Sequence, residues 1–206
     1  MKKRVIIPLA VLGAFLCVLL VFLSRLGTKA PARPVRGEAW SESWEVLGSV
    51  LGVQAPEQGF SLLDNTSILT VQDTYLATWV SGEPMDYETV AGDETQIYDA
   101  QLFVLLQGCK DNENAQMAVD EWMGLATENY DVSQTASQTH NGQEYTVITY
   151  TVRSDTNPYD QGMAAYGVFE NYAVSAELTC LDTYTGDIAA ILSDFLDGCH
   201  YADTEG

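Results

Sequence analysis

The sequence predicts an α+β fold, an antiparallel sheet covered by helices and preceded by one N-terminal transmembrane helix. Three observations predict it. Directly after Lys2, Lys3 and Arg4 the chain carries an uncharged apolar run of nineteen residues, Val5–Leu23. Beyond them, strand-like segments come in runs rather than in strict alternation with helical ones, which is the grouping of an antiparallel sheet. Two later segments carry apolar stripes of helical period, each behind an acidic or amide capping residue.

At a helical rise of about 1.5 Å per residue, Val5–Leu23 spans roughly 28 Å, the thickness of a bilayer's hydrocarbon core. Pro8 falls in the first turn, where its missing N–H costs little. Cleavage after the Ala30-Pro31-Ala32 triplet is the alternative, but that triplet lies behind Arg25 and Lys29, far from the apolar run. Lipidation at Cys17 is a third reading, and the bulky pair Phe15-Leu16 before it argues against it. Retention gives residues 1–4 as a cytoplasmic tail, 5–23 as a signal-anchor and 24–38 as a basic stalk with Pro31 and Pro34. Residues 39–206 form an acidic extracytoplasmic domain. Cations flank the span on both sides, so their count does not orient it. The compact Lys2-Lys3-Arg4 cluster and the large following domain favour the N-terminus inside.

Seven of the nine Lys and Arg residues precede Gly37, and no acid does. From Gly37 onward two cations, Lys110 and Arg153, face 29 acids, a formal charge of −27. Nucleic acid is excluded as a partner, because phosphate contacts need a basic surface. The Tyr, Trp, Val and Leu content with clear periodicity predicts a buried core in a single domain.

Along this domain, Trp44, Leu47 and Leu51 at helical spacing predict a short helix over 41–51, stopped by Gly52. GFSLLD and ILTVQ read as short strands around a turn at 64–67, and TYLATWVSG as a third. EPMDYETVAGDET reads as an acidic connection. QIYDAQLFVLLQGC follows as a strand whose run Leu102–Leu106 predicts burial on both faces. Asp111 or Asn112 caps a helix reaching about Asn129, with Ala115, Val119, Trp122 and Ala126 inward. DVSQTASQT and EYTVITYTV flank Asn141-Gly142, a strong hairpin signal. GMAAYGVFE and NYAVSAELTC form a second hairpin turning at Glu170-Asn171. Tyr172, Val174, Ala176 and Leu178 point inward there, and Ser175, Glu177 and Thr179 outward. The last element, 187–197, aligns Ile188, Ile191, Leu192 and Phe195 and ends at Gly198.

GFSLLD, DAQLFVLLQ leading to the helix of Trp122, the strands EYTVITYTV and NYAVSAELTC, and the closing IAAILSDFL together resemble the PsbP-like fold. That fold is shared by a photosystem II extrinsic subunit, a Ran-binding nuclear import factor and many bacterial lipoproteins. The resemblance spans roughly Gly59 to Tyr201. It implies an α/β/α sandwich whose members mostly bind proteins or assist assemblies, and no site motif of the family is matched here.

Candidate chemistry is sparse. Only two histidines are present: His140 on a predicted turn, exposed and mobile, and His200 directly after Cys199. Neither placement sets up a nucleophile–base pair, and the reading is of a non-enzyme with no cofactor. The 154–162 loop offers Asp155, Asn157 and Asp160 as metal candidates at alternating positions. It lacks the twelfth-position Glu of an EF-hand, so a solvated connection is the favoured reading. Lys110 and Arg153, the lone cations, are expected beside carboxylates. Chain direction brings Cys109 and Cys199 to one end of the sheet and leaves Cys180 at the other, which predicts a Cys109–Cys199 disulfide. A continuous strand through Glu170-Asn171 would favour Cys109–Cys180 instead. The functional expectation is a membrane-anchored binding or accessory domain with a protein partner in the cell envelope. An envelope sensor or small-ligand receptor, for a divalent cation for example, is the alternative, and an enzyme the third reading.

Overall fold

A computed structural model describes residues 45–48, 50–56, 59–67, 73–89, 92, 94–153 and 157–202. The expected anchor and stalk, Trp40, Trp44 and the expected ILTVQ strand lie outside the described residues.

Seven strands form the main sheet, antiparallel throughout: β3 (Phe60–Ser67), β4 (Thr74–Ser81), β7 (Ala100–Gly108), β8 (Tyr130–His140), β9 (Gln143–Val152), β10 (Gln161–Phe169) and β11 (Tyr172–Cys180). Their order across the sheet is β3-β4-β7-β11-β10-β9-β8. Two hairpins build its second half. Asn141 and Gly142 take φ of 46° and 80°, the left-handed pair a two-residue turn needs, and Glu170 takes φ 52° at the next reversal. Helix α1 (Asn112–Asn129) starts at Asp111, whose side chain accepts from the Asn114 N–H at 2.9 Å. Helix α2 (Ile188–Asp197) starts at Asp187, which accepts from the Ala190 N–H at 3.0 Å.

The sheet is covered on both faces, giving the α/β/α-type layering. On one face α1 buries Ala115, Ala118, Val119, Trp122 and Ala126 against Leu105, Ile148, Tyr150, Ala164, Tyr166 and Ala173. On the other, α2 sets Ile191, Leu192, Phe195 and Leu196 on the row Tyr172, Val174, Ala176 and Leu178. Continuous apolar runs in β7 and β10 follow from this double burial.

Three local expectations are corrected. Residues 45–51 are no helix: β1 (Glu45–Leu47) and β2 (Leu51–Val53) form a hairpin joined by β12 (His200–Tyr201) into a three-stranded sheet beside α2. Gly48, at φ 63° against the Tyr75 ring, reverses the chain, and the Val50 N–H donates to the Leu47 carbonyl at 3.0 Å. The outer strand comes from the far end of the chain, a partner that local periodicity does not display. The turn expected at 64–67 lies inside β3, whose pairing with β4 shifts register between Leu62 and Asp64, a bulge rather than a reversal. The acidic connection after β4 contains its own hairpin, β5 (Met85–Glu88) with β6 (Glu94–Ile97), so the long strand expected from Gln96 begins only at Ala100.

Candidate functional site

Ser175, Glu177 and Thr179 alternate away from the inward row of β11, but the face they reach is the one that α1 covers. Glu177 is thereby half-buried between Phe103 of β7 and Ala164 of β10, its register partners. The Tyr150 hydroxyl donates to its Oε1 at 2.5 Å, and Tyr130 hydrogen-bonds the same carboxyl group. The two phenol rings stack 4.0 Å apart and 7° from parallel, so both hydroxyls are held toward one carboxyl group by packing. Desolvation raises the Glu177 pKa, with the two phenol hydrogen bonds opposing the rise. Burial, then the Glu177 charge, likewise pushes the Tyr150 and Tyr166 hydroxyls well up. The result is a carboxyl group with a raised pKa in a phenol-lined site, able to bind a cation when ionised or a hydrogen-bonding group when neutral.

Sequence reading missed this site because strand alternation alone labels Glu177 as outward. The available signal was that a helix on each face leaves no outward side for a central strand.

His140 is buried, in contrast to the exposed turn residue expected. β8 runs through it, and the end of α2 lies over it. Its Nδ1 sits 3.0 Å from Asp197 Oδ1 and its Nε2 3.0 Å from Gln138 Oε1, so both ring nitrogens are engaged. Of the metal candidates, Asp155 lies outside the described residues. Asn157 Oδ1 accepts from the Tyr159 N–H at 3.0 Å and braces its own loop, and Asp160 Oδ2 accepts from the Asp182 N–H at 2.9 Å, tying that loop to the turn after β11. Lys110 Nζ lies 4.0 Å from Asp111 Oδ2 in solvent. Arg153 is more fully engaged: its Nε donates to Asp131 Oδ1 at 2.6 Å and its Nη1 to the Thr127 and Glu128 carbonyls at 3.2 and 3.0 Å.

The structure does not join Cys109 to Cys199. The strand directions are those expected, and both cysteines follow elements that end at the same end of the sheet. Cys109, however, belongs to the core on the α1 face and Cys199 to the core on the α2 face. Cys109, Cys180 and Cys199 are all free and buried.

The solution structure of cyanobacterial PsbP from Synechocystis sp. PCC 6803 is similar to this chain at 11% sequence identity and a TM-score of 0.47, over 86% of this chain and 99% of that one. No site residue or activity is carried from it. No family model matches the chain, and no curated protein does.

Proposed function

We propose that the chain is a membrane-tethered extracytoplasmic domain that binds a protein partner in a cell-envelope assembly rather than catalysing a reaction. The observation that carries this reading is the adjacent pair Leu62 and Leu63, 42% and 53% exposed on the edge strand β3. Burying a leucine is worth roughly 1.5–3 kcal/mol, which this edge leaves unrealised. A sheet edge also offers backbone groups to an incoming chain. The uncharged Val5–Leu23 segment supports the tether, and the acidic domain supports a partner with cations around its apolar contact.

Crosslinking of the full chain in intact membranes tests the reading. Leu62→Ser with Leu63→Ser should abolish partner capture and change stability by only about 0.5 kcal/mol per site, since both residues are exposed. Undiminished capture would remove this surface from consideration. A soluble mature species beginning at Arg33 would remove the tether. Glu177 favours the second reading, an envelope sensor for a small ligand. Ligand-dependent tyrosine fluorescence that disappears in Glu177→Gln would select it.

A further inference from the structure

The tip of the β8–β9 hairpin is fastened to the C-terminal end of the domain. Asn141 Nδ2 donates to the Cys199 carbonyl at 2.8 Å and meets His200 Nδ1 at 3.2 Å. Beside it, His140 contacts Asp197 at 3.0 Å. These contacts clasp the turn to the end of α2 and the start of β12. Asn141 itself is exposed, and the residue after it is Gly142. Asparagine is chemically labile, and a following glycine has no side chain to shield its backbone nitrogen from the preceding amide.

We propose that Asn141 is a site of spontaneous deamidation whose rate is set by this clasp. The Gly142 nitrogen forms a bond to Asn141 Cγ, the Cγ–Nδ2 bond breaks, and the Gly142 N–H proton leaves with the amide nitrogen as ammonia. Water then opens the cyclic imide at either carbonyl, leaving aspartate or isoaspartate. The net change is one water consumed and one ammonia released, with no redox partner. While Nδ2 is held by the Cys199 carbonyl, the side chain is not free to swing onto the Gly142 nitrogen, so reaction waits for the turn to open. The product reverses the contact. A carboxylate replaces the donor and faces the Cys199 carbonyl oxygen, and isoaspartate adds a backbone atom to a turn in which His140 pairs with Gln143. Each conversion therefore releases the Asn141 contact that delayed it, leaving β12 held to the hairpin by the Tyr145–Tyr201 hydroxyl contact at 2.8 Å.

The full chain in detergent micelles is incubated in mildly alkaline buffer with and without urea, and Asn141 is followed by peptide mapping with isoaspartate detection. If the turn is open about 1–10% of the time, the native rate falls about 10- to 100-fold below the urea rate. Asp197→Ala removes the acceptor of the His140 ring at a side chain that is 58% exposed, so the fold survives, and it should raise the native rate several-fold. Absence of conversion in urea would overturn the site. Equal native and urea rates, or a native rate unmoved by Asp197→Ala, would overturn control by the clasp.

Discussion

At the scale of single residues, Glu177 shows how a carboxyl group is kept inside an already acidic domain. The groups facing it are phenols, Tyr130 and Tyr150 by hydrogen bond and Tyr166 nearby, and among the described residues no cation offsets its ionisation. Its folded pKa therefore stands above the value of the unfolded chain. A raised folded pKa contributes stability in acid, and that contribution is lost as pH rises through it. Glu177→Gln keeps the acceptor oxygen without the ionisation. The variant is expected to match the wild type below the unfolded carboxylate's pKa to within about 1 kcal/mol, the worth of one hydrogen bond, and to gain on it as pH rises from there to the raised folded pKa, with no further gain above it. Urea unfolding across that range measures the difference, and a gap independent of pH would show that Glu177 stays ionised in the fold. The residue was legible as a glutamate on a strand. Its phenol shell was not, because Tyr130, Tyr150 and Glu177 meet only through the β8–β9–β10–β11 pairing.

At the scale of elements, α1 and α2 were readable to within a residue because everything that defines them is local. Asp111 and Asp187 cap, the apolar stripes repeat at helical spacing, and Gly198 closes α2. The end of α1 is different. No basic residue lies in its last turn, and Tyr130 leaves in extended conformation. Arg153, directly after β9, supplies the missing cation, donating to the last-turn carbonyls and to Asp131. Arg153→Glu is expected to cost about 1–2 kcal/mol at low salt, from the lost cap and a new carboxylate beside Asp131. Much of that loss should vanish at high salt, where the repulsion is screened. Thermal unfolding at two ionic strengths checks it, and a loss unchanged by salt would assign Arg153 to hydrogen bonding alone. The hairpin of β1 and β2 was misread as helix for the complementary reason. Leu47 and Leu51 fit a helical stripe, and only the arrival of β12 and the Tyr75 ring makes strands of them.

At the scale of the whole molecule, the main sheet acts as a partition between two apolar cores. The thiol pKa values rise through desolvation on both sides, to about 11 for Cys109 and about 12 for Cys180, and Cys199 is pushed up as well. Buried and protonated thiols are poor nucleophiles. The native domain is expected to resist alkylation at all three cysteines, to label fully once unfolded, and to give no bridged peptide on non-reducing mapping. Recovery of a Cys109–Cys199 peptide would place both thiols on one side of the sheet and refute the layering.

The sequence by itself determined the properties carried by neighbouring residues: the helices and their caps, the Asn141-Gly142 and Glu170-Asn171 reversals, the strand directions and the charge contrast at Gly37. The same charge contrast argues against a nucleic-acid partner, since phosphate contacts need a basic surface. Only the tertiary structure decided which face each strand residue meets, that β12 returns to β2, and that the cysteines lie apart. It alone brought Glu177 to its phenols and fastened Asn141 to Cys199. The physical reason is range. Capping, turn geometry and periodicity act over a few residues along the chain, whereas layer, register between distant strands and enclosure of a carboxyl group are fixed by which surfaces bury each other.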